Sequence, residues 1–548
     1  MSLRWRSTTH FGLGLVLWCG QGTVRAQGPV RFRIAGTVVS AASGAPLAQT
    51  RVSINDVRNP ETEQTMMTSE NGRFEFNQLG PGKYSLQGMR HGFITASYDA
   101  HEEYATAIVT GAGIDTESLI LRLTPAAVLA GTVLNESAEP VRQSTVTLYR
   151  EDHSTGASRV VQINGTATDD LGFYEFARLA PGNYFVSATA KPWYAVHPVS
   201  SGSSGESDSP AVEPFLDVAY PTTYYPDATD ADQASPIPLK GGEHFQIELR
   251  LSPVPALHLR FHVAGEGRDG FAAPSLARRA FDSVEYIPSD SMQNVSPGVW
   301  ELTGIPAGRY DLRVGSGSGQ VAQSDVDLVN DGQDLDSAAG QPVSSVKVSV
   351  QMPGQTNLPD PLQIELSDSH HRIVANQVVG NGEVHFEGIE PGKYSLLASA
   401  PATGKAYAVV RLWPQSAEVA GNTLNVPDGS SLEISASLAT GSAHVEGFAK
   451  RGGKGTPGAM IVLVPQDPEN HRELFRRDQS DLDGSFNLAN VVPGTYTVIA
   501  IEDGWELDWS QPAALGRYAS HGPTVRVDAQ AHGSVRVPEP VEIQSRQR

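Results

Sequence analysis

The chain repeats one pattern of apolar and polar positions five times. The copies begin Gly72-x-Phe74-x-Phe76, Gly172-x-Tyr174-x-Phe176, Gly298-x-Trp300-x-Leu302, Gly382-x-Val384-x-Phe386 and Gly484-x-Phe486-x-Leu488. Apolar side chains two apart fall on one face of a strand. The residues between, such as Glu75, Glu175 and Asn487, suit a face turned to water. Three positions later comes another apolar residue: Leu79, Leu179, Ile305, Ile389 or Val491. A turn glycine follows: Gly82, Gly182, Gly308, Gly392, Gly494, with proline before it in four copies and Ala307 in the third. Proline presets the second turn position and glycine accepts the positive φ of the third, so positive φ is expected at these glycines. Two residues on stands a tyrosine: Tyr84, Tyr184, Tyr310, Tyr394, Tyr496. A tyrosine entering a strand past a corner buries its ring and returns its hydroxyl to upstream backbone. Each ring contributes about 1.5–3 kcal/mol by burial. The alternation places these tyrosines with the core rather than in a line of ligand-binding rings.

Opening strands precede the motif, as in "IAGTVVSAASGAPLAQTRVSI", and paired runs such as "PIPLKGGEHFQIELRL" and "LNVPDGSSLEISASL" close copies two and four. The first glycines lie 100, 126, 84 and 102 residues apart. That spacing predicts an all-β chain of five tandem immunoglobulin-like or transthyretin-like antiparallel β-sandwiches, not a tight solenoid. The expected segments are 27–125, 126–253 with a long insertion, 254–340, 341–440 and 441–548. "SLARRAF" (275–281) and "QPAALGRY" (511–518) are expected to be short turns at most.

The pattern G-x-F-x-F-x-x-L-x-P-G-x-Y, with "GTV" and a proline turn ahead of it, resembles the carboxypeptidase regulatory-like domain family. That family is similar to transthyretin and to the B-type repeats of collagen adhesins. The resemblance extends over essentially all of the chain after residue 26 and implies a seven- or eight-stranded sandwich. It also implies the company of large exported bacterial proteins that string such domains together. Related sandwiches include starch-binding modules, which brings glycans into view. A motif of this kind specifies fold and says little about function. The adhesin likeness would further imply a Lys–Asn crosslink beside a buried acid, for which Lys347, Glu365 and Asn425 are the nearest candidates. The sequence departs from that pattern, since the acid normally follows the tyrosine strand and here the strand reads "YSLLASA".

Residues 1–26 read as a secretory signal: Arg4 and Arg6, the apolar run "FGLGLVLWCG", then Val24-x-Ala26 before a mature start at Gln27. Cys19 invites a lipoprotein reading, but Trp18 stands where a small residue is required. Cys19 is the only cysteine, so the remaining chain has no disulfide, thiolate metal site or cysteine nucleophile. The net charge is −21, and without Arg4, Arg6 and Arg25 it is near −24. Nucleic acid and anionic lipid are thereby disfavoured as partners. No later apolar run is long enough to cross a membrane as a helix.

Chemistry is sparse. The fifteen histidines form no H-x-x-E or H-E-x-x-H, and there is no G-x-S-x-G. No cofactor or metal is expected. Gly265-x-Gly267-x-x-Gly270 carries Glu266 and Asp269, which would repel phosphate, and "HHR" at 370–372 reads as a solvated loop. Asp481 and Asp483, or Asp227, Asp230 and Asp232, are oxygen ligands suited to calcium, but aspartate also favours turns. The aromatic residues outside the repeat are the ligand candidates: Trp193, Tyr194, Tyr224, Tyr225, Trp505 and Trp509. Flat rings stack on sugars. The alternation of Trp505, Leu507 and Trp509 makes packing on their own domain the favoured reading. Three functions fit: an exported non-catalytic scaffold or adhesin of the cell envelope, a carbohydrate-binding protein, or an accessory subunit of a separately encoded peptidase or transporter. Polysaccharide or envelope proteins are the corresponding partners.

Overall fold

The computed structural model describes residues 31–111, 113–197, 213–262, 275–287, 292–296, 299–314, 321–336, 341–355, 357–369, 372–403, 405–414, 418–528, 531 and 533–546. The signal segment, the Gly265–Gly270 loop and His370 lie outside them.

The chain is all-β and builds five tandem immunoglobulin-like sandwiches. In the first four, the opening strand lies inside a sheet of three or four strands, and in the fifth it belongs to a nine-stranded sheet. Phe32–Ser40 lies between Arg73–Leu79 and Leu119–Leu123. Ala127–Leu134, Leu257–His262, Ser344–Gln351 and Ala443–Arg451 take the same place in the later copies. The motif strand pairs antiparallel with the opening strand, but the closing strand pairs parallel with it in every copy. The first four sandwiches are otherwise antiparallel; in the fifth, Val541–Gln544 adds parallel pairs with both Ala443–Arg451 and Gly494–Ile501. The facing sheet is a hairpin plus the tyrosine strand: Asn59–Met67, Arg51–Asp56 and Lys83–Met89 in the first copy.

The five tyrosines behave as the repeat predicts. Each hydroxyl donates to the carbonyl four residues upstream: Tyr84 to Gly80 at 3.1 Å, Tyr184 to Ala180 at 2.7 Å, Tyr310 to Pro306 at 2.8 Å, Tyr394 to Glu390 at 2.8 Å and Tyr496 to Val492 at 2.7 Å. All five rings are buried among apolar residues of both sheets. Among the turn glycines only Gly182 takes the expected positive φ, at +157; in every copy a positive φ also falls just upstream. It occurs at Gln78, Arg178, Gly304, Gly388 and Asn490, just before the third apolar residue, where each motif strand bulges against its opening strand. The bulge inserts one residue and returns Leu79 and its counterparts to the inner face. Gly82, Gly308, Gly392 and Gly494 do not take the left-handed conformation. The tyrosine ring lies beside each of these four glycines, most tightly in the fifth copy, where a Cβ on Gly494 would stand 3.1 Å from the Tyr496 ring; at Gly82 and Gly392 the distance is an ordinary 3.6 and 3.5 Å.

Two segments differ from expectation. Ser275–Ala280 is a strand, because Leu276, Ala277 and Ala280 bury and the segment pairs with Gly308–Val314, overriding the helical preference of Leu, Ala and Arg. Pro512–Ala519 is a two-turn α-helix with proline in its first turn, and Leu515 and Tyr518 face the fifth sandwich.

That helix covers an outer face. In Met460–Pro465 all six residues are buried, and Val498–Ile501 are buried throughout. Ile461 and Leu463 point into the sandwich core, whereas Met460, Val462, Ile499 and Ile501 point outward into a second apolar layer. A strand covered on both faces reads as an unbroken apolar run. The layer also receives Tyr104 from the first sandwich.

Candidate functional site

The second layer of the fifth sandwich opens onto a seam where the first, second and fifth sandwiches meet. Its centre is Arg477, on the edge strand Arg476–Gln479. The guanidinium lies 4.2 Å from the Trp509 ring centre, 5.1 Å from Tyr104 and 5.8 Å from Trp505. Its Nη2 donates to Glu102 at 2.6 Å and to the Ser154 carbonyl at 3.1 Å, so one side chain touches three sandwiches. Arginine suits this place, being planar, stackable and weakly hydrated. Trp505 sits in the short turn Gly504–Glu506, 7% exposed. His101 stacks on it at 5.0 Å with the rings 5° from parallel, and Tyr104 lies 5.7 Å away.

Polar bonds frame the rings. Lys83 Nζ reaches Asp481 at 2.5 Å and Ser485 Oγ at 2.9 Å. Asp481 also accepts from Ala107 N at 3.0 Å, and Leu482 N donates to the Ala107 carbonyl at 3.0 Å. Gln479 Nε2 donates to the Asp99 carbonyl and to Thr106 Oγ1 at 2.7 Å. From the second sandwich, the Gly156 carbonyl accepts from Ser510 N and Oγ at 3.1 and 2.8 Å, while Ser158 N donates to Asp508. Gly156 has φ +80, and a Cβ there would stand 2.6 Å from Ser510. Only glycine fits on both counts.

Burial shifts the seam's titrations. Desolvation pushes the Tyr104 hydroxyl up to about 12. Asp478, on the same edge strand, rises from 3.8 to about 7, chiefly by desolvation, although the Asn487 N–H at 2.6 Å stabilises its anion. Desolvation also raises Asp481, with Lys83 pulling the other way. A carboxyl whose pKa rises on folding holds more protons in the folded state. Its contribution is greatest at low pH and is lost as pH rises from about 4 to about 7. Denaturant titrations of the intact chain should show stability falling across that window. Asp478→Asn should make the fall shallower, with the Asp481 contribution remaining; an unchanged slope would remove Asp478 as its source.

The other sequence candidates scatter. Trp509 is partly buried beneath Arg477 and edge-on to Phe475 at 6.1 Å. Tyr224 is buried between the second and third sandwiches against Phe281, with Arg278 over its ring at 5.8 Å. Tyr225 packs on the second core. Trp193 is 84% exposed, its ring perpendicular to Tyr194 at 5.7 Å. The hydroxyls of Tyr194 and Tyr220 donate to Glu136 at 2.6 and 2.7 Å. The tryptophans of "GWELDW" thus form no open platform, and Trp193 is the candidate ring left facing outward. Lys347 points away from its core to Glu383 at 3.0 Å, and Asn425, on the facing sheet, pairs across from Lys393. The crosslink candidates are therefore not brought together. Asp481 is bound to Lys83 and Asp230 caps a short 3₁₀ turn. Among the described residues no group of three His, Cys, Asp or Glu is placed to hold a metal, and no helix is long and apolar enough to cross a membrane.

Sequence reasoning missed the seam as such. Arg477, Tyr104 and His101 carry no local motif, and Lys83 and Asp481 are 398 residues apart. The available signal was "MIVLV" and "VIAI", where alternation fails.

Residues 33–112 match the carboxypeptidase regulatory-like domain family. No curated protein matches the chain. Among solved structures, the Bacillus anthracis TIE protein is similar at 12% identity over 76% of each chain, with a TM-score of 0.18. The minor pilin of Streptococcus agalactiae is similar at 10% identity over 41% of this chain and 96% of its own, with a TM-score of 0.21. The major pilin subunit of Bacillus cereus is similar at 9% identity over 74% and 99%, with a TM-score of 0.14. At these TM-scores the whole chains do not superpose.

Proposed function

We propose that this chain is an exported, non-catalytic scaffold of the cell envelope, made of sandwiches at 27–125, 126–253, 254–340, 341–440 and 441–548 and closed upon itself by the Arg477 seam. The seam carries the reading. Its tryptophans, its arginine and its acidic turn are engaged in holding three sandwiches together, an arrangement that supports rigidity rather than turnover. Export is supported by the leader pattern of residues 1–26.

One observation favours a second reading, carbohydrate binding: the outward ring of Trp193 beside the Tyr194–Glu136–Tyr220 group. One panel tests both. Purified chain is offered peptide substrates and plant and bacterial polysaccharides, with turnover and binding measured. The scaffold reading expects neither. Turnover abolished by a single substitution in this chain would overturn it. Polysaccharide binding lost in Trp193→Ala would establish the second reading.

A further inference from the structure

The second and third sandwiches meet through two contacts of different chemistry. In one, Val160 N donates to Asp282 at 2.8 Å, and Phe281 lies edge-on to Tyr224 at 5.6 Å. The other is a row of alternating bases and acids. The long insertion of the second sandwich returns through Asp217, whose carbonyl accepts from Ala256 N at 3.0 Å, and Val218–Ala219 then pairs with Val254–Pro255. Asp217 Oδ1 lies 3.0 Å from His197 Nδ1, and its Oδ2 lies 3.4 Å from His258 Nε2. His258 Nδ1 lies 3.0 Å from Asp331 Oδ1, which also accepts from the His258 backbone N–H at 2.8 Å. His197 and Asp217 belong to the second sandwich, and His258 and Asp331 to the third. The first three side chains are mostly buried.

With both rings neutral, this row is one proton short. A neutral imidazole has one N–H and one lone pair. His197 needs only one N–H to serve Asp217. His258 faces a carboxylate oxygen at each nitrogen, so either neutral tautomer aims its lone pair at an anion. Only the imidazolium presents a proton to both. The Nε2 approach is within ion-pair range but out of line for a hydrogen bond, so charge is what holds it. Histidine changes charge between about pH 5 and 8. Asp331 is held below the usual carboxylate range: burial raises it, and the backbone N–H, the ring and the charge of His258 outweigh that. The charges next along the sheet have partners of their own, Glu301 facing Arg260 at 3.9 Å and Asp334 facing His262 at 3.5 Å. The neighbouring strand Val299–Ile305 turns Gly304 towards the His197 ring, where a Cβ would stand 2.7 Å away.

We propose that His258 is a proton-operated lock between the second and third sandwiches. Charged, it bridges Asp217 and Asp331 and fixes the returning insertion to the third sandwich. Neutral, it keeps one carboxylate and repels the other. The charged ring belongs to the closed junction, so closure is complete at low pH and is lost as pH rises through the histidine range. The contact of Tyr224 with Phe281 contains no histidine, so the junction loosens on one side only. The lock does not involve the Arg477 seam, and its failure would leave the scaffold reading standing.

Hydrogen exchange of the full chain tests it, read at the Ala256 amide, which bonds to Asp217 across the junction. Each rate is divided by the intrinsic rate at its pH, and the amides of Gly308–Val314 report whether the third sandwich stays folded. Protection at Ala256 should fall about tenfold between about pH 5.5 and about pH 8. His258→Gln cannot take a charge, so its protection should stay at the weaker, alkaline level at both pH values. Asp217→Asn is the opposite case. It keeps Oδ1 for His197 and sets an N–H against the Nε2 lone pair, which satisfies the neutral ring. Asp217→Asn should therefore hold Ala256 protected at about pH 8. Equal protection of the intact chain at both pH values would overturn the proposal. So would a pH dependence that survives His258→Gln. Protection lost at both pH values in Asp217→Asn, with Gly308–Val314 intact, would make Asp217 a structural contact only and would also overturn it.

Discussion

Trp505→Ala should release the first sandwich from the fifth while the first stays folded. The ring is almost fully buried, stacked on His101, beside Tyr104 and within reach of Arg477. Truncating a buried large aromatic costs about 3–5 kcal/mol. The indole N–H has no hydrogen-bond partner, a burial penalty of about 1–3 kcal/mol that truncation relieves. The net loss should therefore sit near the bottom of the range, about 3 kcal/mol, or roughly a hundredfold in the ratio of open to closed seam. Hydrogen exchange should show lost protection at Ala107 and Leu482, which bond across the seam. The strands Lys83–Met89 and Gly494–Ile501, which lie in the two cores, should keep theirs. Trp505 also rests on Met460 and Ile501 of its own sandwich. His101→Ala, made on the opposite wall, separates the two roles, since it leaves the fifth sandwich untouched and should still loosen the seam. Protection lost throughout 441–548 in Trp505→Ala, with His101→Ala silent, would make the tryptophan a core residue of the fifth sandwich and nothing more.

The repeat was legible because its chemistry is local. A tyrosine two residues past a glycine and two before a leucine or valine needs no distant partner to be read as a core residue, and all five donate to the carbonyl four residues back. Even the bulge was written in the sequence. Phe76 to Leu79 is a step of three where a flat strand would take two, and the extra residue is the bulge. Pro-Gly pointed to positive φ at the turn, which only Gly182 takes; the positive φ common to all five copies belongs to Gln78 and its counterparts. The parallel closing strand was not legible, because pairing direction depends on where the chain returns and not on strand composition. The candidate site was half legible. Unbroken apolar runs at 460–464 and 498–501 mark strands covered on both faces. What covers them comes partly from Pro512–Ala519, and partly from Tyr104 hundreds of residues away, which no spacing rule reaches. "GWELDW" is ambiguous for the same reason: two tryptophans among acids look alike whether the missing neighbour is a sugar or another sandwich of the same chain.

Tyr394→Ala should unfold the fourth sandwich and spare the fifth. The Tyr394 ring lies in a core that includes Val348, Ile364, Leu396, Leu424 and Ile434, and its hydroxyl reaches the Glu390 carbonyl at 2.8 Å. Burial pushes that hydroxyl up to about 12, so it remains a donor through neutral pH. Removing the ring costs about 3–5 kcal/mol, much of a single domain's stability. Tyr394→Phe keeps the ring and loses one hydrogen bond, about 1 kcal/mol. The junction is where spread is expected, because Ser431–Gly441 runs into Ala443–Arg451 across a single residue. A Cβ on Gly441 would stand 2.2 Å from the Asn490 carbonyl, so the two sandwiches touch closely there. The fifth has its own cluster from Val445 to Ile543 and is further held by the seam. Hydrogen exchange in Tyr394→Ala should show protection lost over Gly392–Ser399 and its paired strands, fading through 441–443, and intact over Gly494–Ile501. Protection lost evenly from 341 to 548 would mean that the fourth and fifth sandwiches fold as one unit, and that the separate tyrosine corners do not give separate stabilities.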